Sequence, residues 1–132
     1  MPTPSHPQIK LQYPSEPASV TELRHRAAAF AAEQGATAEL VADVNLAVSE
    51  AVTNAVKYAE VAGETGNLEF SAAAIDDWLE LRLTDKGENF GKGSTDGLGL
   101  GLTIIARLCD DLKIVQEGKG TSVLMRFALR RA

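Results

Sequence analysis

The sequence is poor in cysteine, has no excess of basic residues and contains no long apolar run. Its only cysteine among 132 residues is Cys109, so no disulfide can form within the chain. Such sparse use of cysteine suits a reducing compartment, and we expect a cytoplasmic protein. The 13 lysines and arginines are outnumbered by 18 acidic residues, and the net charge of −5 gives no electrostatic support for binding nucleic acid.

Signals for membranes and secretion are also missing. No apolar run reaches the ~18 residues that a transmembrane helix needs, so we predict no membrane contact. The first eight residues, MPTPSHPQ, do not have the basic-then-apolar pattern of a secretory signal. Their three prolines predict a loose tail over residues 1–8, followed by a single domain over residues 9–132.

Hydrophobic periodicity predicts eight elements in the order β-α-α-β-β-α-β-β. The expected strands cover residues 9–14, 68–75, 78–85, 112–117 and 121–129, and the expected helices cover residues 15–34, 37–60 and 97–110. Gly35 is expected to end the first helix, and Thr37 to cap the second. Two hairpins separated by a helix predict an α+β two-layer sandwich, with a mixed, mostly antiparallel sheet and helices on one face.

The second predicted helix carries the first candidate site, in the segment NLAVSEAVTNAVKYAE, residues 45–60. Glu50, Asn54 and Lys57 have the i, i+4, i+7 spacing that places side chains on one helix face, apart from the apolar stripe between Val44 and Ala55. Carboxylate and amide oxygens suit Mg²⁺ that is also held by phosphates, and a carboxylate can accept a proton. A solvated helix face has the same pattern, so both interpretations stay open.

The second candidate lies in LRLTDKGENF, residues 81–90, where an apolar strand ends at Asp85. A carboxylate there can accept a hydrogen bond from an exocyclic amino group, and Gly87 would let a flat ring approach the backbone. An Asp–Gly turn that simply closes the strand is the alternative interpretation.

The third candidate is the glycine alternation in STDGLGLGLTIIARLCDDLKI, residues 94–114. Gly97, Gly99 and Gly101 stand where the third helix should begin, and each costs ~1 kcal/mol relative to alanine in a helix. Bare backbone N–H groups at a helix N-terminus form an anion site, which would justify that cost. A turn without a binding role remains the alternative.

Taken together and in this order, the motifs resemble the ATP-binding boxes of the GHKL superfamily, which includes histidine kinases, type II topoisomerase ATPase domains and heat-shock chaperones. The carboxylate–asparagine helix resembles the N box, DKG the first glycine box and GLGLGL the second, and GKGTSVLMRF, residues 118–127, resembles the closing strand. AVSEAVTNAVKYA and DGLGLGLTIIARLCDDLKI are most similar to the bacterial anti-sigma factor serine kinases and their switch-kinase relatives.

The resemblance implies that the chain binds ATP and Mg²⁺. Asn54 would coordinate the metal, and Glu50 would be the general base or would orient it. Asp85 would bind the adenine amino group, with Gly87 beneath the ring, and Thr121 would support the adenine pocket. The phosphates would lie on the segment formed by Gly97, Leu98, Gly99, Leu100 and Gly101.

The function implied by the resemblance is an ATP-dependent protein serine/threonine kinase of the anti-sigma type. Its substrate would be a small anti-anti-sigma-like protein, a sigma factor would be sequestered, and the chain would form a homodimer. A switch kinase that binds no sigma factor is one alternative, and a non-catalytic, nucleotide-dependent interaction module is another. The sequence departs from the family pattern in three places: Tyr58 in place of histidine, Asn89 in place of a glycine, and a short lid over residues 90–96. The departures at Asn89 and the lid motivate the second alternative.

Overall fold

The computed structural model describes residues 6–63, 66–85, 96–117 and 120–129, and within them the chain forms the eight elements in the predicted order. The strands are β1 (Gln8–Pro14), β2 (Asn67–Ile75), β3 (Trp78–Asp85), β4 (Asp111–Glu117) and β5 (Gly120–Ala128). The helices are α1 (Pro17–Glu33), α2 (Ala38–Ala62) and α3 (Asp96–Leu108). The predicted α+β fold class is confirmed, whereas the division into a tail and one domain stays a prediction.

The strands form a five-stranded sheet in the order β1-β2-β3-β5-β4. The prediction of a mostly antiparallel sheet is confirmed, since all four pairings between the described strands are antiparallel. The connection from β3 through α3 to β4 places β5 between β3 and β4. As a result, the start of β5 lies beside the end of β3, and Asp85 pairs with Thr121.

One face of the sheet is covered by the helices. Side chains along β3 alternate between half-buried and buried, and Asp85 occupies the last buried position of that row. The buried row meets apolar side chains from each helix, such as Leu23 of α1, Val48 of α2 and Ile105 of α3, in one hydrophobic core. In the described part of the chain, no helix is both long enough and apolar enough to cross a bilayer.

The ends of α1 and α2 follow from local chemistry. Gly35 has a φ of +87°, a backbone conformation that glycine adopts readily and that lets the chain leave α1. The backbone N–H of Leu40 donates to Oγ1 of Thr37 at 3.1 Å, which confirms the predicted cap of α2. At the start of α1, the Ser19 hydroxyl donates to the carbonyl of Pro14 at 2.6 Å and so ties the helix to β1.

Candidate nucleotide site

Buried polar residues mark the candidate site, because a buried polar group is costly unless something binds it. Within the described residues, the buried polar side chains are Ser19, Asn54, Asp85, Thr121 and Ser122. Two of them have evident structural roles, since Ser19 holds β1 and the Oγ atom of Ser122 lies 2.7 Å from Oγ1 of Thr84. The other three are residues that the family resemblance assigned to the nucleotide and metal.

Helix α2 holds its three candidate side chains at different depths. Asn54 is only 8% exposed, and its Nδ2 atom is buried without a hydrogen-bond partner. Glu50, one turn earlier, is half-buried, and Lys57 is exposed. An unsatisfied buried amide costs ~1–3 kcal/mol. The fold therefore leaves the Asn54 carboxamide available to a ligand at the margin of the core.

Asp85 and Thr121 are brought together by the sheet. They are 4% and 2% exposed, and they lie directly opposite each other on β3 and β5. Residues paired in this way have Cβ atoms ~4.5–5.5 Å apart. Both residues also make further interactions, so neither is without a partner. Gly87, Asn89 and residues 90–95 of the short lid lie outside the described residues, so their roles stay predictions.

Helix α3 begins at Asp96, one residue before the predicted start, and contains the glycine segment from Gly97 to Gly101 in its first two turns. The first N–H groups of an α-helix have no partner within the helix and carry the positive end of its dipole. Because α3 packs against α2, this segment belongs to the same helical layer as Asn54. The side chains of residues 96–101 lie outside the described part of the chain.

The donor set fits a magnesium ion only together with phosphates. Among the described residues there is no group of three or more His, Cys, Asp or Glu side chains that could hold a metal by itself. Asn54 offers one neutral carbonyl oxygen, and Glu50 offers a carboxylate one turn away. Mg²⁺ accepts such sparse protein ligation when phosphates and water fill its remaining positions.

Cys109 has the character of a structural thiol. It is half-buried, and its Sγ donates to the carbonyl of Ile105 at 3.1 Å. Burial raises the pKa of the Cys109 thiol above its ordinary value, and the carboxylates of Asp110 and Asp111 add to the increase. Because the thiolate is the nucleophile, this surrounding disfavours reactivity.

A hollow of about 890 Å³ lies on the sheet face that the helices leave open. Its lining includes Lys10, Ser71 and Arg82, which stand side by side on β1, β2 and β3, and none of the predicted site residues. This hollow could not be predicted from the sequence, because only the strand register brings these side chains into one row. Its position separates it from the candidate nucleotide site, which lies on the helix side.

Comparison with known proteins identifies the family to which this fold belongs. The family model for the histidine kinase-like ATPase domain matches residues 13–127. The serine-protein kinase RsbW of Listeria monocytogenes serovar 1/2a is 33% identical over 136 residues, covering 91% of this chain and 86% of the relative. RsbW of Bacillus licheniformis is 32% identical over 139 residues, covering 93% and 86%.

Two solved structures have the same fold. The structure of the RsbU and RsbW domains of a Mycobacterium tuberculosis protein matches with a TM-score of 0.76 and 23% identity, covering 96% of this chain and 33% of that longer chain. The SiaB–SiaC complex of Pseudomonas aeruginosa matches with a TM-score of 0.72 and 16% identity, covering 90% and 88%.

The fold and the family match define a histidine kinase-like ATPase domain, and the chain belongs to that family. Within the family, it belongs with the serine-protein kinases named RsbW. The predicted GHKL membership and the predicted protein kinase class are thereby confirmed. ATP is the nucleotide expected for a member of this family.

Proposed function

We propose that this chain is a protein serine/threonine kinase of the anti-sigma type. It transfers phosphate from ATP to a small anti-anti-sigma-like protein and sequesters a sigma factor. The observation that carries the proposal is the unpaired, buried amide of Asn54, one helical turn from the half-buried Glu50. A phosphate oxygen of the nucleotide that accepts a hydrogen bond from Nδ2 of Asn54 recovers part of that cost, while the carbonyl oxygen of the same side chain faces the metal.

The nucleotide lies at the junction of the helical layer and the end of β3. Asp85 accepts a hydrogen bond from the adenine amino group, Gly87 lies beneath the ring and Thr121 supports the pocket from β5. The support for this arrangement is the register that pairs Asp85 with Thr121 and the burial of both residues. The phosphates rest on backbone N–H groups of the segment from Gly97 to Gly101, at the N-terminus of α3.

Asn54 holds Mg²⁺ through its carbonyl oxygen. When bound, the metal supplies positive charge that offsets the negative charge of the phosphates. The carboxamide of Asn54 is suited to binding this metal because it is neutral and adds no negative charge beside the phosphates. Its position on a helix, fixed by the apolar side chains around it, keeps the oxygen in one place.

Glu50 acts on the hydroxyl group of the substrate protein. Its carboxylate accepts the proton of a serine or threonine hydroxyl while the hydroxyl oxygen forms a bond to the γ-phosphorus. The bond between that phosphorus and the bridging oxygen breaks, and ADP leaves with the electron pair. Half-burial suits this role, because the carboxylate must be fixed and must still be reached from solvent.

The proposed partners follow from the family. RsbW relatives are named as serine-protein kinases, and the SiaB–SiaC structure is a complex of two proteins. We extend this to a small anti-anti-sigma-like substrate, a sigma factor and a second copy of this chain, all in the cytoplasm. No direct contact with nucleic acid or membrane forms part of the proposal.

The decisive experiment compares nucleotide binding with phosphate transfer in Glu50→Gln. Calorimetry measures the affinity for Mg·ATP, and radiolabel transfer is measured to candidate acceptor proteins identified from the neighbouring genes. We expect affinity within a few-fold of the wild type and a transfer rate lower by ~10²- to 10⁴-fold, since that is the usual contribution of a positioned acid–base group. Glu33→Gln, an exposed carboxylate at the end of α1, is the matched control and should change neither quantity.

Two results would contradict the proposal. Equal transfer by Glu50→Gln would remove Glu50 from the chemistry. Tight ATP binding by the wild type without transfer to any neighbouring gene product would favour a non-catalytic module. A pull-down with purified sigma factors separates the anti-sigma kinase from a switch kinase that binds none.

A further inference from the structure

Two large apolar side chains are unusually exposed in the described part of the chain. Leu46 on α2 and Ile114 on β4 are each 47% exposed. Single exposed apolar residues are common on protein surfaces, so exposure alone implies nothing. The position of Leu46 is what distinguishes it, because it lies one helical turn before Glu50.

Leu46 belongs to a continuous strip along the outer side of α2, which we call the Leu46 strip. It consists of Glu39, Ala42, Leu46, Glu50, Thr53 and Lys57. Successive members are three or four residues apart, so they follow one another on the same helix face. Glu50 and Thr53 are half-buried, whereas the other four are exposed.

We propose that the Leu46 strip is the docking surface for the phosphate-accepting protein, with Leu46 as its apolar anchor. This inference rests on the proposed function, since it assumes that a protein hydroxyl must reach Glu50. The occupant is a small folded protein whose serine or threonine lies beside an apolar patch. It carries a basic side chain that faces Glu39 and an acidic side chain that faces Lys57.

The size of protein interfaces supports this assignment. An ordinary interface buries ~800 Å² on each partner, which corresponds to a patch of ~16 Å radius. Leu46 is only ~6 Å from Glu50 along the helix axis, at 1.5 Å per residue. A patch centred within ~10 Å of Glu50 therefore includes Leu46, and burying it removes apolar surface from water.

The order of side chains along the strip gives the docked protein a direction. The exposed Glu39 lies at one end, and the exposed Lys57 lies at the other end, beyond Glu50. Ala42 is also exposed and extends the apolar part of the strip from Leu46 toward Glu39. A partner with the complementary order of charges binds in one orientation, which fixes the position of its hydroxyl relative to Glu50.

The test compares Leu46→Ala with Ile114→Thr, a substitution at the equally exposed residue on β4. Steady-state transfer to the acceptor protein identified from the neighbouring genes gives kcat and KM, and calorimetry gives the affinity for Mg·ATP. We expect Leu46→Ala to raise the KM for the acceptor protein about three- to tenfold, because about half of a leucine side chain becomes buried on docking. We expect kcat and ATP affinity to change less than twofold, and Ile114→Thr to leave all three unchanged.

The outcomes separate this inference from the proposed function. An unchanged acceptor KM in Leu46→Ala, with wild-type transfer intact, overturns the docking surface and leaves the kinase standing. An equal rise in KM for Ile114→Thr overturns it as well, because the effect is then not local. Absence of transfer by the wild type overturns the proposed function and the docking surface together. Thermal unfolding of each variant verifies that both are folded.

Discussion

Asn54 offers a direct test of whether a residue proposed to bind a ligand weakens the fold that holds it. Its amide is buried in the helical layer without a hydrogen-bond partner, a situation that costs ~1–3 kcal/mol. Replacing it with alanine removes that penalty and adds ~0.7 kcal/mol of helix propensity. The packing lost around the truncated side chain lowers the free energy of unfolding by ~1 kcal/mol at this margin of the core and so offsets part of the increase.

The net expectation is that Asn54→Ala stabilises the nucleotide-free protein by ~0.7–2.7 kcal/mol. Unfolding entropy near 60 °C is ~2.1 cal/mol/K per residue, so for this chain each kcal/mol moves the Tm by ~4 °C. The Tm should therefore rise by ~3–11 °C. Urea denaturation followed by circular dichroism measures the free energy of unfolding directly.

Asn45→Ala is the matched control, because Asn45 is a half-buried asparagine on the same helix. It shares the gain in helix propensity but relieves no buried, unpaired amide. Adding Mg·ATP should reverse the order of stabilities, since a ligand at ~100 times its Kd adds ~2.7 kcal/mol to the protein that binds it. If nucleotide-free Asn54→Ala is less stable than Asn45→Ala, the amide contributes to the fold and the reasoning fails.

Two further predictions concern the nucleobase and the thiol. Asp85→Asn should lower the affinity for ATP ~10-fold in calorimetry and reduce the difference in affinity between ATP and GTP, because a carboxylate only accepts hydrogen bonds. A wild type that binds GTP as tightly as ATP would contradict the assignment of Asp85 to the adenine amino group. Burial raises the pKa of the Cys109 thiol, so iodoacetamide at about pH 8 should label the folded protein more slowly than the urea-unfolded chain. Equal labelling rates would show that the thiol is not shielded. The folded state then binds the thiol proton more tightly than the unfolded state. The free energy of unfolding should therefore decrease as the pH rises through the ordinary range of thiol pKa values, and this decrease should be smaller in Cys109→Ala.

The order and bounds of the elements could be predicted because their signals are local. Gly35 and Thr37 mark the junction of α1 and α2 within three residues of sequence, and the structure shows both in the expected roles. The strands of each hairpin are likewise indicated by alternation and by the turns between them. Such features depend on neighbours in the chain, which a single sequence displays.

The pairing of Asp85 with Thr121 could not be predicted from local signals. The two residues lie on either side of α3 and β4, and their contact depends on β5 entering the sheet beside β3. The family resemblance assigned both to the adenine pocket without reference to this register. The same reason explains why the hollow beside Arg82 was missed, since its lining comes from separate strands.

The depth of each side chain on α2 was the other feature that the spacing left undetermined. At ~100° per residue, Glu50 lies ~40° and Leu46 ~80° around the helix from Asn54. In the structure, these angles correspond to different degrees of burial: Asn54 is buried, Glu50 is half-buried and Leu46 is 47% exposed. The apolar stripe sets the rotation of the helix, and the rotation then sets what each polar group can reach. One hydrophobic pattern therefore places the proposed metal ligand in the interior, the proposed base at intermediate depth and the proposed docking residue in solvent.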